Sequence, residues 1–544
     1  MTLFLMTGSI GPADAIAVAA RMARRATAIG LILAAYPAAA ATPLAISEVP
    51  TVLGSAPSSI VASSSADLAY FADFTNGKIG IGLYSTDLKI IEDSGPLAPG
   101  GNAAIGVAVG PAPVAPGGHP SLWVTISGAT PGVVEVDAST GSATRLFPLG
   151  NAYEAPGLIA LGPDGNLWFP IEPRHCSPCS PAPVAAIGRI TPDGDLSLAT
   201  TGLVAGSAPL GIAAGPDGAL WFTDPNAVAP AIGRVTTGAE PKIIEFTNAQ
   251  SPGLRATSVP VAIAADAEGR LWFTDQSSVA PAIGRITPAA VEGNPPEIVE
   301  FPLPFASSVP INIALGPDGN LWFTDPGCPS CENPTPPAIG RITLDGTSLA
   351  EFPIAEFSGG AVGASHPEGI TGSGPGGPGS VFYADSLGAI GQVTIPTDTL
   401  TVTVNGLAGA AHRAADIVTS TQAPGVTGML AHAKILCDQG GSACAAAFPD
   451  TTRVTLTATP AVGERFTGWS GAGAAAGGCS TALVCAVPLA GNLDSTITAS
   501  FTADAALPPP ATSVLSSNAA GSLIRAVANS STGDACGSAC SAER

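Results

Sequence analysis

The sequence predicts an all-β fold: a seven-bladed β-propeller of four-stranded blades, followed by a small β-rich domain. One observation is a recurring phrase, GPDGALWFTDPNAVAPAIGRVT at 215–236, with a near copy that begins at residue 316. A second is composition, because 66 Gly and 53 Pro with only 5% aromatic residues suit short strands joined by many turns. The third is spacing. One aromatic position recurs about every 50 residues, at Tyr70, Trp123, Trp168, Trp221, Trp272, Trp322 and Phe382.

Each repeat reads as four strands, shown in the fourth repeat by LGIAAG (210–215), LWFTD (220–224), AIGRVT (231–236) and KIIEF (242–246). The turn Gly-Pro-Asp-Gly separates the first two, since Pro fixes φ and Gly accepts a positive φ. A single sheet of this size cannot bury both of its faces, so the copies must stack around an axis. The Trp and the Ile-Gly pair of each repeat are then expected to pack between neighbouring blades.

The two ends of the repeat region indicate how the ring closes. The seventh repeat reaches GAIGQVTI (388–395) without an obvious fourth strand, whereas LAISEVP (44–50) precedes the first repeat and resembles IVEFPLP (298–304). We therefore predict that residues 44–50 complete blade seven, which also removes an exposed sheet edge. The propeller is expected to span residues 42–395.

Residues 1–41 are predicted to be a signal peptide. The basic segment RMARR (21–25) precedes the apolar run AIGLILAAYPAAAA (28–41), which ends in small residues suited to cleavage near Ala39 to Ala41. The run is short for a bilayer span, and the alternative is an uncleaved membrane anchor. No later apolar stretch is long enough for a transmembrane helix, so the sequence predicts a secreted or cell-surface protein of bacterial type.

The net charge argues against nucleic acid as a partner, and the spacing of the cysteines indicates how they pair. Lys and Arg total 20 against 41 Asp and Glu, and a net charge of −21 repels nucleic acid. The ten cysteines come in close pairs, which in an oxidising compartment favours local disulfides. The pairs are Cys176 with Cys179, Cys328 with Cys331, Cys437 with Cys444, Cys479 with Cys485, and Cys536 with Cys540. A zinc site formed by two C-x-x-C units is the alternative, but blades three and six lie nearly opposite on the ring.

One rim of the propeller is predicted to carry the function. In a hairpin the start of the first strand and the end of the second lie on the same side, so the loops after LWFTD share one rim and the Gly-Pro-Asp-Gly turns lie on the other. The long loops at 172–186 and 326–338 fall on the first rim. Binding sites favour such loops on a rigid frame.

An Asp ends the second strand in five of the repeats. The expected role is to accept backbone N–H groups, as Asp often does in loops. The alternative is a converging set of carboxylates that holds Ca²⁺ or Mg²⁺. The five are Asp73, Asp224, Asp275, Asp325 and Asp385.

The repeat resembles that of the virginiamycin B lyase (streptogramin lyase) family over about residues 44–395. The resemblance rests on GPDGNLWFTD (316–325), AIGRIT and IIEF. It implies a seven-bladed propeller. For an active member it also implies opening of a cyclic depsipeptide at its ester linkage by elimination, with Mg²⁺, a general-base His and Glu ligands.

The last blade carries the family's catalytic motif in altered form. It opens with Ser-His-Pro-Glu-Gly-Ile at 365–370, so Glu368 stands where the family has its base and His366 lies two positions earlier. Asp385 lies near the family's second Glu, and blade six has Asn312 where the family carries a His. The resemblance implies a swapped pair, with His366 and Glu368 as catalytic candidates and Glu368 and Asp385 as metal ligands. The alternative is an ordinary loop His before Pro.

Residues 396–504 resemble the bacterial InlB B-repeat domain, a small β module of surface and secreted proteins. The segment VTLTATPAVGERFTGWSG (454–471) carries this resemblance, and its alternation reads as a half-exposed strand. The resemblance implies extracellular display or adhesion. Residues 505–544 are rich in Pro, Ser and Ala and are predicted to be disordered.

Two classes of function remain open at this stage. The first is a secreted, monomeric propeller that binds an extracellular protein, glycan or small ligand on its loop-rich rim. The second is a metal-assisted carbon–oxygen lyase, or a related hydrolase, centred on His366, Glu368 and Asp385.

Overall fold

The computed structural model describes the chain from residue 44 to residue 503, with interruptions. The residues left out within that span are 53, 64–67, 84–88, 92–95, 99–101, 112–120, 151–152, 174–184, 227–228, 290, 292, 332–333, 355–364, 374–378, 406–416, 422–434, 439–443, 451–452, 461–463 and 490–494. Two sequence predictions, the signal peptide and the C-terminal tail, therefore lie outside the described residues.

Seven antiparallel sheets form the blades of a β-propeller, and short turns connect their strands. Blade one contains β2 (Pro57–Ala62), β3 (Leu68–Asp73), β4 (Lys78–Leu83) and β5 (Lys89–Ile91). Blade two contains β6 (Ala103–Val109), β7 (Ser121–Ser127), β8 (Gly132–Asp137) and β9 (Ala143–Pro148). Blade three contains β10 (Tyr153–Pro156), β11 (Ala160–Leu161), β12 (Leu167–Pro173), β13 (Ala186–Ile190) and β14 (Leu196–Ala199). In blade three, β10 and β11 both pair with β12. The inner strand of that blade is therefore in two pieces.

Blades four to seven follow the repeat more closely. Blade four contains β15 (Ile212–Ala214), β16 (Leu220–Asp224), β17 (Ala231–Val235) and β18 (Ile243–Thr247), and blade five contains β19 (Pro260–Ala265), β20 (Leu271–Asp275), β21 (Ala282–Thr287) and β22 (Glu297–Pro302). Blade six contains β23 (Ile313–Leu315), β24 (Leu321–Asp325), β25 (Ala338–Ile342) and β26 (Leu349–Pro353). Blade seven contains β27 (Pro367–Gly372), β28 (Ser380–Asp385) and β29 (Ala389–Thr394), with β1 (Ala45–Pro50) as its fourth strand.

The strand β1 closes the ring, as predicted. It pairs antiparallel with β29, with Ala45 opposite Thr394 and Pro50 opposite Ala389. The inner strand of each blade contacts the inner strand of the next, and β27 of the last blade contacts β2 of the first. The propeller is therefore sealed by strands from opposite ends of the repeat region.

The repeated aromatic residues fill the spaces between blades, which confirms their predicted structural role. Trp221 of blade four packs with Ile263 and Phe273 of blade five, and Trp322 of blade six packs with Ile370 and Tyr383 of blade seven. Full burial of such large side chains is a major source of stability. The Trp set therefore belongs to the scaffold.

The Gly-Pro-Asp-Gly turn has a second role beyond reversing the chain. Its last Gly has a positive φ, 75° at Gly218, and its Asp accepts a hydrogen bond from the buried indole, with Trp221 Nε1 3.0 Å from Asp217 Oδ1. Blade two has Ala112 at the Asp position. There, the buried Nε1 of Trp123 has no hydrogen-bond partner within the described part of the chain.

Two further sheets follow the propeller and pack around a core of their own. Their strands are β30 (Thr397–Asn405), β31 (Ile417–Thr421), β32 (Leu436–Asp438), β33 (Ala445–Pro449), β34 (Arg453–Thr459), β35 (Glu464–Ser470), β36 (Val484–Pro488) and β37 (Ser495–Ala503), with the short helix α1 (Ala472–Ala476). The sheet orders are β33-β30-β37-β35, with β30 and β37 parallel, and β32-β31-β34-β36.

Three of the predicted cysteine pairs form disulfides in the structure. Cys328 and Cys331 are bonded in the rim loop of blade six. In the C-terminal domain, Cys437 is bonded to Cys444, and Cys479 is bonded to Cys485. Local pairing at these three positions is confirmed. It leaves no free thiolate at Cys328 or Cys331 for a zinc site.

The other two predicted disulfides fall on residues that the structure does not describe. Cys176 and Cys179 lie in the part of the blade-three loop that is left out, at 174–184. Cys536 and Cys540 lie beyond residue 503. The bond of Cys179 with Cys176 and that of Cys540 with Cys536 therefore stay predictions.

Candidate functional site on the rim of blade seven

The five recurring Asp residues are buried backbone acceptors, which confirms the expected structural role. Each Oδ1 accepts the N–H of a residue one to four positions before the inner strand and that of the residue two positions after the Asp. In blade seven, Asp385 Oδ1 accepts from His366 N at 3.0 Å and from Leu387 N at 2.8 Å. The donors to the other four are Ala56 and Thr75, Ala208 and Asn226, Val259 and Ser277, and Val309 and Gly327.

This shared hydrogen bond defines equivalent positions in five blades and shows where blade seven departs from them. At the position of His366 the other four blades carry Ala56, Ala208, Val259 and Val309. Two residues further on, at the position of Glu368, they carry Ser58, Leu210, Val261 and Ile311. The scaffold folds with small or apolar residues at both positions. The ionisable pair in blade seven is therefore not needed for the repeat to form.

His366 and Glu368 form a direct pair. His366 Nδ1 lies 3.0 Å from Glu368 Oε1, and the side chains are 47% and 26% exposed. The two residues flank Pro367 and share one side of the strand because alternate residues of a strand point the same way. The Ser386 hydroxyl lies 3.2 Å from the same imidazole nitrogen. Within the described residues, His366 Nε2 has no hydrogen-bond partner.

The electrostatics of the pair favour the imidazolium. The hydrogen bond to Glu368 raises the pKa of His366, burial opposes this rise, and the charges of Glu368 and Asp385 add to it. The backbone of Glu368 is also held in place, since Thr324 Oγ1 of blade six donates to the Glu368 carbonyl oxygen at 2.5 Å. The pair is thus a fixed, partly exposed polar group that can change its charge near neutral pH.

Both carboxylate oxygens of Asp385 accept hydrogen bonds from the protein. Its Oδ1 accepts the two backbone N–H groups, and its Oδ2 accepts the Ser365 hydroxyl at 2.6 Å. Ca²⁺ and Mg²⁺ need several available oxygen ligands. In the part of the chain that is described, no group of three or more His, Cys, Asp or Glu side chains could hold a metal ion. A metal ion held by Glu368 and Asp385, as the resemblance implies, therefore stays a prediction.

Three residues next to the pair were missed by sequence reasoning: Glu48, Ser365 and Tyr383. The Tyr383 hydroxyl donates to Glu48 Oε1 at 2.7 Å, and Ser365 Oγ lies 3.3 Å from the same oxygen. A signal was present, because a Ser-x-Pro sequence opens five blades, and a Glu lies within the described fourth strand of four of them. The Ser residues of those four blades are Ser207, Ser258, Ser308 and Ser365, and the fifth is Ser55 of blade one.

Ring and site together define a seven-bladed β-propeller with a polar, ionisable pair on one rim. The chain matches the Virginiamycin B lyase family over residues 103–358 and 242–422. Together these ranges cover more than half of the sequence, and the chain belongs to that family. Residues 435–505 match the Divergent InlB B-repeat domain. No curated protein matches the chain.

Solved structures of lyases resemble the propeller. Selenomethionine-substituted virginiamycin B lyase from Staphylococcus aureus is 26% identical with a TM-score of 0.50, and the match covers 65% of this chain and all of that one. A catalytically inactive histidine-to-alanine variant of the same enzyme with quinupristin is 25% identical over the same shares, with a TM-score of 0.49. A streptogramin B lyase is also 25% identical with a TM-score of 0.49, and its match covers 66% of this chain and 99% of that one.

The InlB B-repeat domain and the disulfides indicate an extracellular or surface protein. Among the residues that the structure describes, no helix has the length and apolarity that crossing a bilayer requires.

Proposed function

We propose that this chain is a secreted propeller that binds a small ligand on the rim of blade seven, with His366 and Glu368 as its polar anchor. The observation that carries the proposal is the break in the repeat, since four equivalent blades place Ala or Val where blade seven has His366. A symmetric scaffold gains nothing structural from one such exception. Ionisable groups on a rigid rim are suited to ligand recognition.

Exposed apolar side chains on the same rim suggest the kind of ligand. Phe74, Leu387 and Val52 are 49%, 64% and 55% exposed. Phe74 follows the Asp of blade one, Leu387 lies two residues after Asp385, and Val52 adjoins Thr51, whose N–H donates to the Gly388 carbonyl. All three therefore lie on the rim where blades one and seven meet. A ligand with apolar groups and one polar or charged group matches this surface.

Catalysis is a second candidate, because the pair also has the arrangement of a general base. The imidazole is oriented through Nδ1 by a carboxylate, and Nε2 remains available to take a proton. In an ester elimination, Nε2 would accept a proton from the carbon between the C–O bond and a carbonyl group. The electron pair left behind would form a carbon–carbon double bond as the C–O bond breaks, and the carboxylate would leave. No metal enters this step.

The binding proposal is tested with quinupristin, the compound present with the related lyase variant. Isothermal titration calorimetry would compare the unchanged chain with His366→Ala, Glu368→Gln and the matched control Val259→Ala, which alters the same repeat position in blade five. We expect the first two changes to weaken binding by about tenfold, the value of one charged hydrogen bond. The control should bind normally. Equal affinity in all four proteins would contradict the proposal.

Mass spectrometry of the same mixtures separates binding from catalysis. Elimination opens the ring without changing its mass, whereas hydrolysis adds the mass of one water. Intact quinupristin supports binding alone. Ring opening at constant mass that disappears in His366→Ala would establish the lyase. Its rate should then rise with pH through the raised pKa of His366, because only the neutral imidazole accepts a proton.

A further inference from the structure

Within the residues that the structure describes, a polar cluster of one Ser, one Glu and one Asp recurs on the rim of four blades. In blade four, Ser207 Oγ donates to Glu245 Oε1 at 3.0 Å, and burial and the neighbouring Asp224 raise the pKa of the Glu245 carboxyl. The Glu lies on the outer strand and faces Gly233 of the third strand. The corresponding sets are Ser258, Glu300 and Asp275; Ser308, Glu351 and Asp325; and Ser365, Glu48 and Asp385. As a repeated feature, the cluster belongs to the scaffold.

Blade seven modifies the cluster in two ways. Its second strand has Tyr383 where blades four to six have Phe222, Phe273 and Phe323. The added hydroxyl donates to Glu48 Oε1 at 2.7 Å. In addition, Glu48 comes from the closing strand β1, so it is 335 residues from Tyr383 in the sequence. The other three Glu residues lie on the fourth strand of their own blade, which follows the third strand in the sequence.

The modified cluster connects to His366 through short contacts. Ser365 Oγ lies 3.3 Å from Glu48 Oε1 and donates to Asp385 Oδ2 at 2.6 Å. Asp385 Oδ1 accepts the His366 N–H, and the His366 carbonyl accepts the Ser386 N–H at 3.1 Å. The N–H and the carbonyl of His366 are therefore both held by residues 385–386, which follow Tyr383, the hydrogen-bond donor to Glu48. Pro367 then fixes the backbone between His366 and Glu368.

We propose that Glu48 is a positioning residue for the pair of His366 and Glu368, so that docking of the ring-closing strand assembles the site. The inference deepens the function proposed above and rests on it for the role of the pair. Glu48 touches neither side chain of the pair. It acts through Ser365, Tyr383 and Asp385, and it makes completion of the ring and formation of the site one event.

The test measures the His366 imidazole NMR resonances in the full chain without ligand, and quinupristin affinity separately. His366→Ala assigns the signal among the five histidines. Glu48→Ala should shift and broaden the His366 signal and weaken binding about fivefold. Glu48→Gln should restore both, because its amide oxygen still accepts from Tyr383. Glu245→Ala is the matched control. It removes the same cluster residue in blade four and should leave the His366 signal unchanged.

Tyr383→Phe provides a second route in case Glu48→Ala does not fold, since Phe occupies this position in five other blades. It should also move the His366 signal. Unchanged His366 resonances in Tyr383→Phe and in Glu48→Ala would overturn the proposal and leave Glu48 as a scaffold residue like Glu245. Because the resonances are recorded without ligand, a failure of quinupristin to bind affects the proposed function and leaves this result standing.

Discussion

At the scale of single residues, the blades that carry an Ile-Gly pair depend on close packing between its glycine and an aromatic ring. The Gly of each Ile-Gly pair faces the aromatic ring of the neighbouring second strand. An added Cβ at Gly233 would lie 2.0 Å from Phe222 Cζ, and one at Gly340 would lie 1.9 Å from Phe323 Cζ. The glycines are present because the rings leave no room for a side chain.

Gly233→Ala is therefore expected to destabilise the protein. Overpacking a filled core costs about 2–3 kcal/mol in the free energy of unfolding. Thermal or urea unfolding followed by fluorescence measures the loss. Gly238→Ala in the same blade is the control, because its added Cβ meets nothing within 4 Å. If both variants unfold alike, the packing account of the Ile-Gly pair is wrong.

At the scale of elements, the fourth strand of a blade joins the second through buried acidic side chains. Burial, together with the neighbouring Asp224, raises the pKa of Glu245 to about 8, although the backbone N–H of Val204 opposes the rise. Burial, together with Asp325, raises the pKa of Glu351 to about 8. In blade five, Arg255 lies between Asp275 and Glu300 and pairs with both. In blades four and six, a proton on the Glu therefore relieves the repulsion between the two buried carboxylates. In blade five, the guanidinium of Arg255 offsets that repulsion.

These pairs predict a protein that is more stable in mild acid than in mild base. The ordinary pKa of Glu is 4.5, so between pH 4.5 and about 8 the folded chain binds protons that the unfolded chain releases. The stabilisation is complete below the lower value and is lost as the pH rises through the upper one. Each Glu contributes up to about 1.4 kcal/mol per pH unit in that window.

Melting temperatures between about pH 5 and about pH 8.5 measure this effect. We expect the unchanged chain to melt progressively lower as the pH rises, and the double variant Glu245→Gln/Glu351→Gln to lose most of that slope, because Gln resembles a protonated Glu. His366 titrates in the same direction in both proteins, so the difference between them isolates the two Glu residues. Identical slopes would contradict the prediction.

At the scale of the whole molecule, one arginine joins the propeller to the C-terminal domain. Arg341 of blade six stacks over Trp322 at 5.2 Å and forms a two-pronged ion pair with Asp450, at 2.7 and 3.2 Å. In blade four the equivalent Arg234 lies 2.7 Å from the turn residue Asp217, whereas Arg341 lies 3.9 Å from the corresponding Asp318 of blade six. Since these turns lie on the rim opposite His366, this contact lies on the side of the propeller away from the candidate site.

Asp450→Ala should loosen this attachment. Removing one partner of a buried ion pair costs about 3 kcal/mol. The short link between β29 and β30 should then become more sensitive to limited proteolysis, while quinupristin affinity stays the same. Asp345→Ala, on an exposed turn of the same blade, is the control and should keep the original cleavage rate. Unchanged proteolysis in Asp450→Ala would mean that other contacts hold the domain.

The sequence by itself determined the repeat, the number of blades, the closing strand and the acceptor role of the recurring Asp. The repeat, the number of blades and the role of the Asp follow from local rules of periodicity, turn chemistry and burial, which act within about 50 residues. The closing strand follows from its likeness to the fourth strand of another blade. It also pointed to His366 and Glu368, because a break in a repeat is visible without coordinates.

Only the tertiary structure decided which side chains meet across the ring. Glu48 reaches Tyr383 and Ser365, and Arg341 reaches Asp450. Such contacts join segments that are distant in the sequence, and their partners are set by how the blades stack and where the ring closes. No local pattern of residues carries that information.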